Sequence, residues 1–423
     1  MRIAVVGGGG REHALVWKLA QNPTVEKIWA LPGNAGIEEL AECAPADITD
    51  PAALAAFAER HGVDLTVVGP EGPLVVGVAD EFQARGLPIF GPSRAAARLE
   101  GSKSFAKRIM QAASVPSGRA KVFTEVAPAL GFVRELGGRA VVKADGLAAG
   151  KGVIICDGES SARAALEDCL EHRIFGAAGD RVLVEEVLEG PEVSVFCLSD
   201  GKAVLPLVEA QDFKRVGDGN AGPNTGGMGS YSPVPVFSED LAARVRWEVL
   251  EPTVAAMEAE GCRYAGLLYA GLMLTADGPK VLEFNARFGD PETQAVIPRL
   301  ATDLAELLLA CVEGNLTNYR PKWSPEAAVT VVMASGGYPG RYETGSPIRG
   351  LKAAGALEDV QVFHAGTRRE GGEIVTSGGR VLGVSALGSD LAEARDTAYE
   401  AVKRISFDGC HYRMDIAEAA ARG

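Results

Sequence analysis

The sequence predicts a multidomain protein of α/β and α+β class, with a doubly wound α/β domain at the N-terminus and a β-rich domain at the C-terminus. Three observations predict it. Apolar strand patterns alternate with helical patterns over the first hundred residues. Two strand pairs joined by glycine-containing turns occupy residues 139–156 and 266–285. From Ala327 onward the chain changes to short β runs followed by a helix.

The composition is that of a globular protein with reduced cysteines. Hydrophobic residues make up 47% and charged residues 23% of the 423 residues, enough for about two to four domains. The net charge of −14 argues against nucleic acid or an anionic membrane as a partner, so an anionic substrate would need local basic groups. The seven cysteines include no C-x-x-C pair, and no apolar run approaches the ~20 residues of a membrane span. We therefore expect a cytoplasmic protein without disulfide bonds or a zinc site.

The N-terminal elements follow from apolar runs that are bounded by glycine or proline. Such runs predict buried parallel strands, and the periodic stretches between them predict helices. Strands are predicted at 2–6, 25–31, 65–68 and 88–90, and helices at 11–21, at 51–61 and up to about 85. Another helix is predicted from Glu100 to about Ala113. The pattern around Lys103 in this helix favours a surface lysine.

The glycine run at residues 7–10 does not complete a dinucleotide fingerprint. The third glycine is missing, because the spacing leads to Glu12 or His13, and the second strand ends without an acid for a ribose. This argues against an NAD-dependent dehydrogenase. Backbone N–H groups at a helix start can still hold a phosphate or carboxylate, with Arg11 as reinforcement. A tight turn that needs glycine for packing explains the run equally well.

A small-residue loop joins the two apolar strands within residues 139–156. It carries Gly146, Gly150 and Gly152, which let a backbone approach phosphate oxygens, while Lys143 and Lys151 supply positive charge. The loop is not a Walker motif, because the spacing is one residue short and no Ser or Thr follows the lysine. The pattern predicts a hairpin with a flexible tip, and a nucleotide triphosphate can lie beneath such a tip.

Two further stretches carry polar residues where strands end. Glu185 and Glu186 close an apolar strand, where acids can bind the amino group of adenine, and Glu192 on the next strand could accept ribose hydroxyls. An ordinary solvated strand end remains the alternative. Residues 211–235 form the longest predicted irregular region, and their charges, among them Asp212 and Lys214, favour a binding loop over disorder.

Residues 281–293 contain the strongest signal for metal chemistry. Strand side chains alternate, so Glu283 and Asn285 share one face while Phe284 points into the core. Two oxygen-bearing side chains on a rigid strand suit Mg²⁺, which commonly takes one or two protein ligands and leaves room for phosphates. Arg287 has the same parity and precedes the turn at Asp290, which suits a transferring phosphoryl group. An edge strand with a polar solvated face is the alternative.

The remaining predicted elements complete the central and C-terminal parts. They are helices at 160–172, 239–260, 303–313 and 390–405, and strands at 181–186, 192–196, 266–275, 328–334, 360–365, 373–377 and 380–387.

Taken together, these stretches resemble the ATP-grasp ligases, and within them the phosphoribosylamine–glycine ligase family. The resemblance covers essentially the whole chain. Its motifs are Gly7-Gly-Gly-Gly-Arg-Glu-His13, Gly69-Pro-Glu71, Lys143-Ala-Asp-Gly-Leu-Ala-Ala-Gly-Lys-Gly152, Gln211-Asp-Phe-Lys-Arg-Val-Gly-Asp218, Gly222-Pro-Asn-Thr-Gly-Gly-Met-Gly229 and Glu283-Phe-Asn-Ala-Arg-Phe-Gly-Asp-Pro-Glu292. It implies four parts: an N-terminal domain at 1–103, a central domain at 104–122 and 191–325, a lid at 123–190 and a C-terminal domain at 326–423.

The resemblance also implies a role for each motif. Mg²⁺ or Mn²⁺ would be held by Glu283 and Asn285. ATP phosphates would be held by Lys103, Lys143 and the loop of Gly146, Gly150, Lys151 and Gly152, and adenine and ribose by Glu185, Glu186, Val187 and Glu192. Glycine and its acyl phosphate would face Arg287, Asp290, Asp212, Gly226, Gly227 and Met228. Phosphoribosylamine would contact Gly8, Gly9, Gly10, Arg11, Glu71 and Arg380.

The implied reaction joins glycine to 5-phosphoribosylamine with ATP, through a glycyl phosphate, in a protein expected to be a monomer. One departure concerns the preceding strand, where many ATP-grasp enzymes carry a second metal-binding acid and this chain has Gly271-Leu-Met-Leu274. The number of bound ions is therefore open. Another ATP-grasp ligase, or a nucleotide-binding regulator without catalysis, are the alternatives. The 211–229 stretch argues against the first, and the presence of Glu283, Asn285 and Arg287 argues against the second.

Overall fold

The computed structural model describes residues 1–146 and 152–423. Its strands form four sheets of four or five strands and two short two-stranded ribbons within these residues. No helix of the described residues is long and apolar enough to cross a membrane.

The N-terminal domain is a five-stranded parallel sheet in the order β3-β2-β1-β4-β5. Its elements are β1 (Arg2–Gly7), α1 (Gly10–Leu19), β2 (Lys27–Pro32), β3 (Glu42–Cys43), α2 (Pro51–His61), β4 (Leu65–Val68), α3 (Glu71–Val76), α4 (Val78–Ala84) and β5 (Ile89–Phe90). The doubly wound prediction is confirmed. The helix predicted up to residue 85 is two helices, because Gly77 takes a left-handed conformation with φ of 97°. The short β3 was not predicted.

Two helices connect this domain to the rest of the chain. They are α5 (Arg94–Gly101) and α6 (Lys103–Ala112). The predicted helix start at Glu100 is wrong, because the helical conformation is interrupted at Ser102. The side chain of Ser102 caps α6 by accepting from the amide of Phe105. Glu100 and Lys103 therefore lie on opposite sides of a helix junction.

The second sheet is antiparallel, in the order β6-β9-β7-β8, with two helices packed against one face. Its elements are β6 (Ala120–Phe123), α7 (Val126–Glu135), β7 (Ala140–Ala144), β8 (Val153–Cys156), α8 (Glu159–Leu170) and β9 (Val182–Glu185). The predicted pairing of the two hairpin strands is confirmed, since Lys143 of β7 pairs with Val153 of β8. The tip at 147–151 lies outside the described residues. The strand β6 and the helix α7 were not predicted.

The third sheet is antiparallel, in the order β11-β10-β16-β17. This part of the chain contains β10 (Glu192–Asp200), β11 (Val204–Pro206), β12 (Gln211–Asp212), β13 (Arg215–Gly217), β14 (Ala221–Asn224), β15 (Gly229–Ser232), α9 (Glu239–Val245), α10 (Glu251–Ala259), β16 (Ala265–Thr275), β17 (Gly278–Asn285), α11 (Glu292–Val296) and α12 (Leu304–Glu313). The hairpin of β16 and β17 is as predicted. Gly271 lies opposite Glu283, so the neighbouring strand offers no side chain at that position.

The C-terminal sheet has the order β12-β15-β18-β22-β19. Its own region contributes β18 (Ala327–Ala334), α13 (Leu351–Gly355), β19 (Val360–His364), β20 (Thr367–Glu370), β21 (Glu373–Thr376), β22 (Arg380–Gly388), α14 (Leu391–Arg404) and α15 (Glu418–Arg422). The β-rich prediction is confirmed. The irregular region predicted at 211–235 is wrong in part, because it contains four short strands, and two of them, β12 and β15, extend this sheet through the pairing of Gly229 with Val331.

Candidate active site

Arg287 lies where the N-terminal domain meets the end of β17. Its Nε is 3.2 Å from Oε2 of Glu71, and its Nη2 is 3.1 Å from Oε1 of Glu100. The same Nη2 donates to Oδ1 of Asn285 at 3.3 Å. Glu100 also accepts from the amide of Ala286 at 2.7 Å, so two carboxylates and one amide oxygen fix the guanidinium. Burial raises the pKa of Glu100, although Arg287 opposes this effect.

Asp290 is the meeting point of three segments that are distant in sequence. Its Oδ2 is 3.2 Å from Nη2 of Arg380, at the start of β22, and its Oδ1 accepts from Gln294 at 2.8 Å. Nη1 of Arg380 also donates to the carbonyl of Gly226 at 2.5 Å and to that of Asp290 at 2.8 Å. Burial alone would raise the pKa of Asp290, but Arg380 and Arg11 hold it below its usual value. Arg380 therefore connects the loop at Gly226 with the turn at Asp290.

The glycine run at 7–10 packs closely against these segments. A Cβ on Gly10 would lie 2.6 Å from Nε2 of Gln294, and one on Gly8 would lie 2.3 Å from the carbonyl of Gly33. The amide of Gly9 donates to Glu12 at 2.6 Å. Glu12 also accepts from the buried Arg11 at 2.6 Å. These contacts favour the packing explanation, because a side chain of the helix itself already satisfies the amide expected to meet an anion.

A cluster of lysines surrounds the base of the glycine hairpin. Nζ of Lys103 donates to the carbonyl of Gly146 at 3.1 Å, and Nζ of Lys143 donates to that of Leu282 at 2.9 Å. Burial lowers the pKa of Lys103, and the charge of Lys143 lowers it further. Lys103 is therefore neither isolated nor a simple surface lysine, and both side chains point toward the strand that carries Glu283.

The carboxylate of Glu185 is not free to meet adenine. It is buried, pairs with Lys143, and lies 2.9 Å from Nζ of Lys107. Burial raises the pKa of Glu185, but the two lysines outweigh this effect and leave it lowered. The carboxylate of Glu186 accepts hydrogen bonds from the amide and from Nε of Arg119 at 3.0 and 3.1 Å. The two glutamates therefore organise the strand end, and the half-buried residue Val187 follows directly.

Glu283 and Asn285 provide oxygen atoms that fit a hard divalent cation. Both side chains are partly exposed on β17, whereas Phe284 between them is buried. No hydrogen bond or ion pair to the Glu283 carboxylate occurs within residues 1–146 and 152–423. No cluster of three or more His, Cys, Asp or Glu side chains of metal-binding type lies among the same residues. A site with one carboxylate and one amide oxygen suits Mg²⁺ that keeps water and phosphate ligands.

The acid Asp212 is the buried member of a polar network whose other members are partly exposed. Lys214 Nζ is 2.7 Å from Oδ1 of Asp212 and 2.9 Å from Oε2 of Glu192. In a second group, Tyr269 donates to Glu292 at 2.6 Å and is 2.7 Å from the hydroxyl of Ser194. Residues expected near ribose and near glycine are therefore connected through one lysine.

Comparison with known proteins identifies the family of this chain. The chain matches the N domain of phosphoribosylglycinamide synthetase at residues 1–100, its ATP-grasp (A) domain at 101–293 and its C domain at 328–419. The chain belongs to the phosphoribosylglycinamide synthetase family. The phosphoribosylamine–glycine ligase of Vibrio parahaemolyticus is 52% identical over 98% of this chain and 97% of that protein. That of Caldanaerobacter subterraneus is 51% identical over 99% of both.

Solved structures agree with this membership of the phosphoribosylglycinamide synthetase family. The crystal structure of the phosphoribosylamine–glycine ligase from Thermotoga maritima has a TM-score of 0.86 and 32% identity, over 99% of this chain and 100% of that one. The biotin carboxylase domain of the Hydrogenobacter thermophilus 2-oxoglutarate carboxylase has a TM-score of 0.75 at 17% identity, over 97% and 91% of the two chains. The second likeness shows a shared ATP-grasp fold.

One expected residue is buried away from open space, and two lie in the part of the chain that the structure does not describe. Met228 is fully buried, and its backbone pairs with Phe213 and Val332, so its side chain faces no open site. Gly150 and Lys151 lie outside the described residues. Gly152 is described, and its carbonyl accepts from the amide of Ala144 at 2.8 Å.

The structure also adds polar residues that sequence reasoning did not assign. They are Glu100, Lys107, Asp145, Ser194, Tyr269 and Glu292. Asp145 is almost fully buried and accepts from the amide of Ser104 at 3.0 Å, next to the start of α6. Asp145 and Glu292 lie within the motifs at 143–152 and 283–292, and this position is the signal by which sequence reasoning could have found them. Glu100 and Lys107 had none, because their partners come from distant segments.

Proposed function

We propose that this protein joins glycine to 5-phosphoribosylamine at the expense of ATP, forming glycinamide ribonucleotide, ADP and phosphate through a glycyl phosphate. The chain is an ATP-grasp carboxylate–amine ligase of purine biosynthesis by family membership. The observation that carries the proposal is the convergence of three domains on Arg287 and Asp290. Glu71 comes from the N-terminal domain, Arg380 from the C-terminal domain, and Arg287 and Asp290 from the end of the central hairpin.

The first half of the reaction would activate the carboxylate of glycine. A carboxylate oxygen attacks the γ-phosphorus of ATP, the new P–O bond forms, and the bond to the bridging oxygen of ADP breaks. Transfer of this kind depends on positioning and on neutralising charge. We assign the phosphates to Lys103 and Lys143, whose ammonium groups lie beside β17. Arg287 would face the transferring group from the end of the same strand.

The second half would form the new C–N bond. The amine of phosphoribosylamine attacks the acyl carbon, phosphate leaves, and the nitrogen loses a proton. Glu71 and the loop at 8–11 would contact phosphoribosylamine, while Asp290, Asp212 and the backbone of Gly226 and Gly227 would hold the glycyl part. Arg380 and Met228 would act by positioning these loops, because the first is committed to carbonyls and the second is buried.

We also assign residues to the divalent cation and to the nucleotide. Glu283 and Asn285 would hold the divalent cation, which when bound neutralises phosphate charge. Adenine would meet the backbone at Glu186 and Val187, with ribose at Glu192, and the loop including Gly146, Gly150, Lys151 and Gly152 would cover the phosphates. The Hydrogenobacter biotin carboxylase domain was solved with MgADP, which supports Mg²⁺ in this fold. Glu185 would act by fixing Lys143.

The domain boundaries given above would make residues 123–190 a lid over ATP. Closure of a lid excludes water, which would otherwise hydrolyse an acyl phosphate. The proposal further includes a monomeric enzyme that acts in the cytoplasm on these small molecules.

The deciding experiment measures ADP release by the purified protein with Mg²⁺ and ATP. We expect release when glycine and freshly generated phosphoribosylamine are both present, and background release when either is omitted. Serine and alanine serve as control carboxylates. Release with another carboxylate or amine, and none with this pair, would contradict the substrate assignment and keep the ATP-grasp chemistry.

A further inference from the structure

Lys214 connects two carboxylates that the proposed function assigns to different substrates. Its Nζ lies 2.9 Å from Oε2 of Glu192, the first residue of β10, and 2.7 Å from Oδ1 of Asp212, the last residue of β12. Glu192 is assigned to the ribose of ATP and Asp212 to glycine. A single ammonium group therefore contacts both binding regions, although the two acids lie on different sheets.

Asp212 is surrounded by acidic groups from the elements packed around it. Its side chain is 6% exposed. Glu192 approaches from β10 and Glu292 from α11, while Tyr269 of β16 lies nearby and donates to Glu292. Among the residues that the structure describes, Lys214 is the cation in direct contact with Asp212. Carboxylates that share a site repel each other, and this repulsion is costly for the buried Asp212, so the ammonium group of Lys214 compensates much of it.

We propose that Lys214 is a positioning residue that links the two halves of the active site. It holds Asp212 as the carboxylate that receives the amino group of glycine, and it holds Glu192 as the carboxylate that receives the ribose of ATP. The inference rests on the proposed function and deepens it by naming the group that joins the two substrate pockets.

The acid–base properties of the pair support this role. Burial raises the pKa of Asp212 to about 6, a value that the repulsion from Glu292 increases and the attraction of Lys214 reduces. The pKa of Lys214 is raised well above its usual value, because Asp212 and Glu192 outweigh the effect of burial. Removing Lys214 would raise the pKa of Asp212 further. The acid would then be protonated at neutral pH and would no longer pair with an ammonium group.

The test is the pH profile of kcat/KM for glycine with the full-length protein. In the wild type we expect activity to fall as pH decreases through about 6, the pKa of Asp212. In Lys214→Met we expect this acid limb to move up by about one pH unit or more, with KM for glycine raised about tenfold at pH 7 and partly restored at pH 9. KM for ATP should also rise. A role in folding alone would reduce activity by the same factor at every pH.

Four further variants make the outcome decisive. Lys214→Arg keeps a cation and should keep the limb near its wild-type position. Asp212→Asn should raise KM for glycine at all pH values and remove the limb, and the double variant with Lys214→Met should be little worse than Asp212→Asn alone. Lys403→Met removes an exposed charge on α14 and should match the wild type.

Each failure has a distinct meaning. An active wild type whose limb and glycine KM are unchanged by Lys214→Met would overturn the inference alone. If Lys214→Met does not fold, as judged by circular dichroism, a limb that persists in Asp212→Asn would overturn it. A wild type that releases no ADP with glycine and phosphoribosylamine would overturn the proposed function and this inference with it.

Discussion

Glu185 shows, at the scale of single residues, how packing decides what a polar side chain can do. The same carboxylate that strand-end reasoning gives to adenine is buried between Lys107 and Lys143. A buried carboxylate with two lysine partners is a structural charge pair, and breaking it leaves uncompensated charge. In contrast, Glu283 is partly exposed beside the lysine cluster and is suited to an exchangeable ligand.

Replacing Glu185 with Gln should therefore reduce stability and ATP binding together. Two buried lysines would lose their carboxylate, at a cost of about 3–5 kcal/mol in the free energy of unfolding, and KM for ATP should increase as Lys143 loses its orientation. Urea denaturation and initial rates measure both effects. Glu189→Gln is the control, because its pair with Arg139 is exposed and should contribute less than about 1 kcal/mol.

The pH dependence of the same pair has a definite sign. The pKa of Glu185 is lowered in the folded protein, so its contribution to stability is present above the usual value of 4.5 and is lost as pH falls through the folded value. The difference in unfolding free energy between wild type and Glu185→Gln should shrink between pH 6 and pH 3. A difference that stays constant over this range would contradict the ion pair.

Glu283→Gln tests the cation assignment. Loss of a charged ligand should raise the Mg²⁺ concentration needed for half-maximal ADP release by more than about 10-fold, because even partners of metal ligands have effects of that size. The melting temperature should change little, since the side chain is partly exposed. Asp277→Asn, an exposed acid in the preceding turn, is the matched control. An unchanged Mg²⁺ requirement in Glu283→Gln would remove this residue from the metal site.

At the scale of elements, loops that carry no regular structure of their own hold the site in register. Gly227 has φ of 110°, and a Cβ there would lie 2.3 Å from Cδ of Pro291. The neighbouring carbonyl of Gly226 accepts from Arg380. Backbone conformation and close approach therefore both require glycine at this point, where the 226–228 loop meets the turn after Asp290.

Gly227→Ala should lower kcat/KM for glycine by about 10-fold or more, because the alanine methyl would displace the Asp290 turn. It should also reduce stability by more than about 1 kcal/mol. Gly372→Ala is the control, since Gly372 has φ of 85° but no atom within 4 Å of a Cβ. The control should lose stability and keep activity. Equal activity in the two variants would show that the contact with Pro291 is unimportant.

The elements that sequence could predict are those with sustained periodicity. The N-terminal alternation, the hairpins at 140–156 and 265–285, and α14 all present long apolar patterns, and the structure confirms them. The strands at 211–232 could not be predicted, because segments of two to four residues show no period. They are stabilised by pairing with other strands: β15 pairs with β12 and β18, and β13 pairs with β14. Glu100 could not be recognised for a related reason. Its role depends on its contact with Arg287, which lies 187 positions later in the sequence.

At the scale of the whole molecule, the N-terminal and C-terminal domains meet beside the site. Asn34 donates to the carbonyls of Gly8 and His364 at 2.9 and 2.7 Å. The amide of His364 donates to Nδ1 of His13 at 2.8 Å. Burial lowers the pKa of His13 to about 3 and that of His364 to about 4, so both rings are neutral at pH 7 and suit this buried contact.

Asn34→Ala should loosen this contact and affect the phosphoribosylamine side of the reaction. It would leave the buried carbonyl of His364 without its donor, at a cost of about 1–3 kcal/mol, and KM for phosphoribosylamine should rise more than KM for ATP. Thermal unfolding and initial rates measure the two effects. Asn22→Ala is matched in type and burial, but its bonds go to Thr24 within the N-terminal domain. Similar kinetics in both variants would contradict a role for the interdomain contact.

The pairing of Gly229 with Val331 has a consequence for how the chain matures during synthesis. Strand β18 is made about one hundred residues after β15, so during synthesis β15 can pair with β12 on one side while its other edge stays unpaired until β18 is made. A fragment that starts at β18 would instead carry a long, apolar, unprotected edge, which is a template for aggregation. Expression of the C-terminal region as an independent unit therefore requires that residues 211–232 are included in the same fragment.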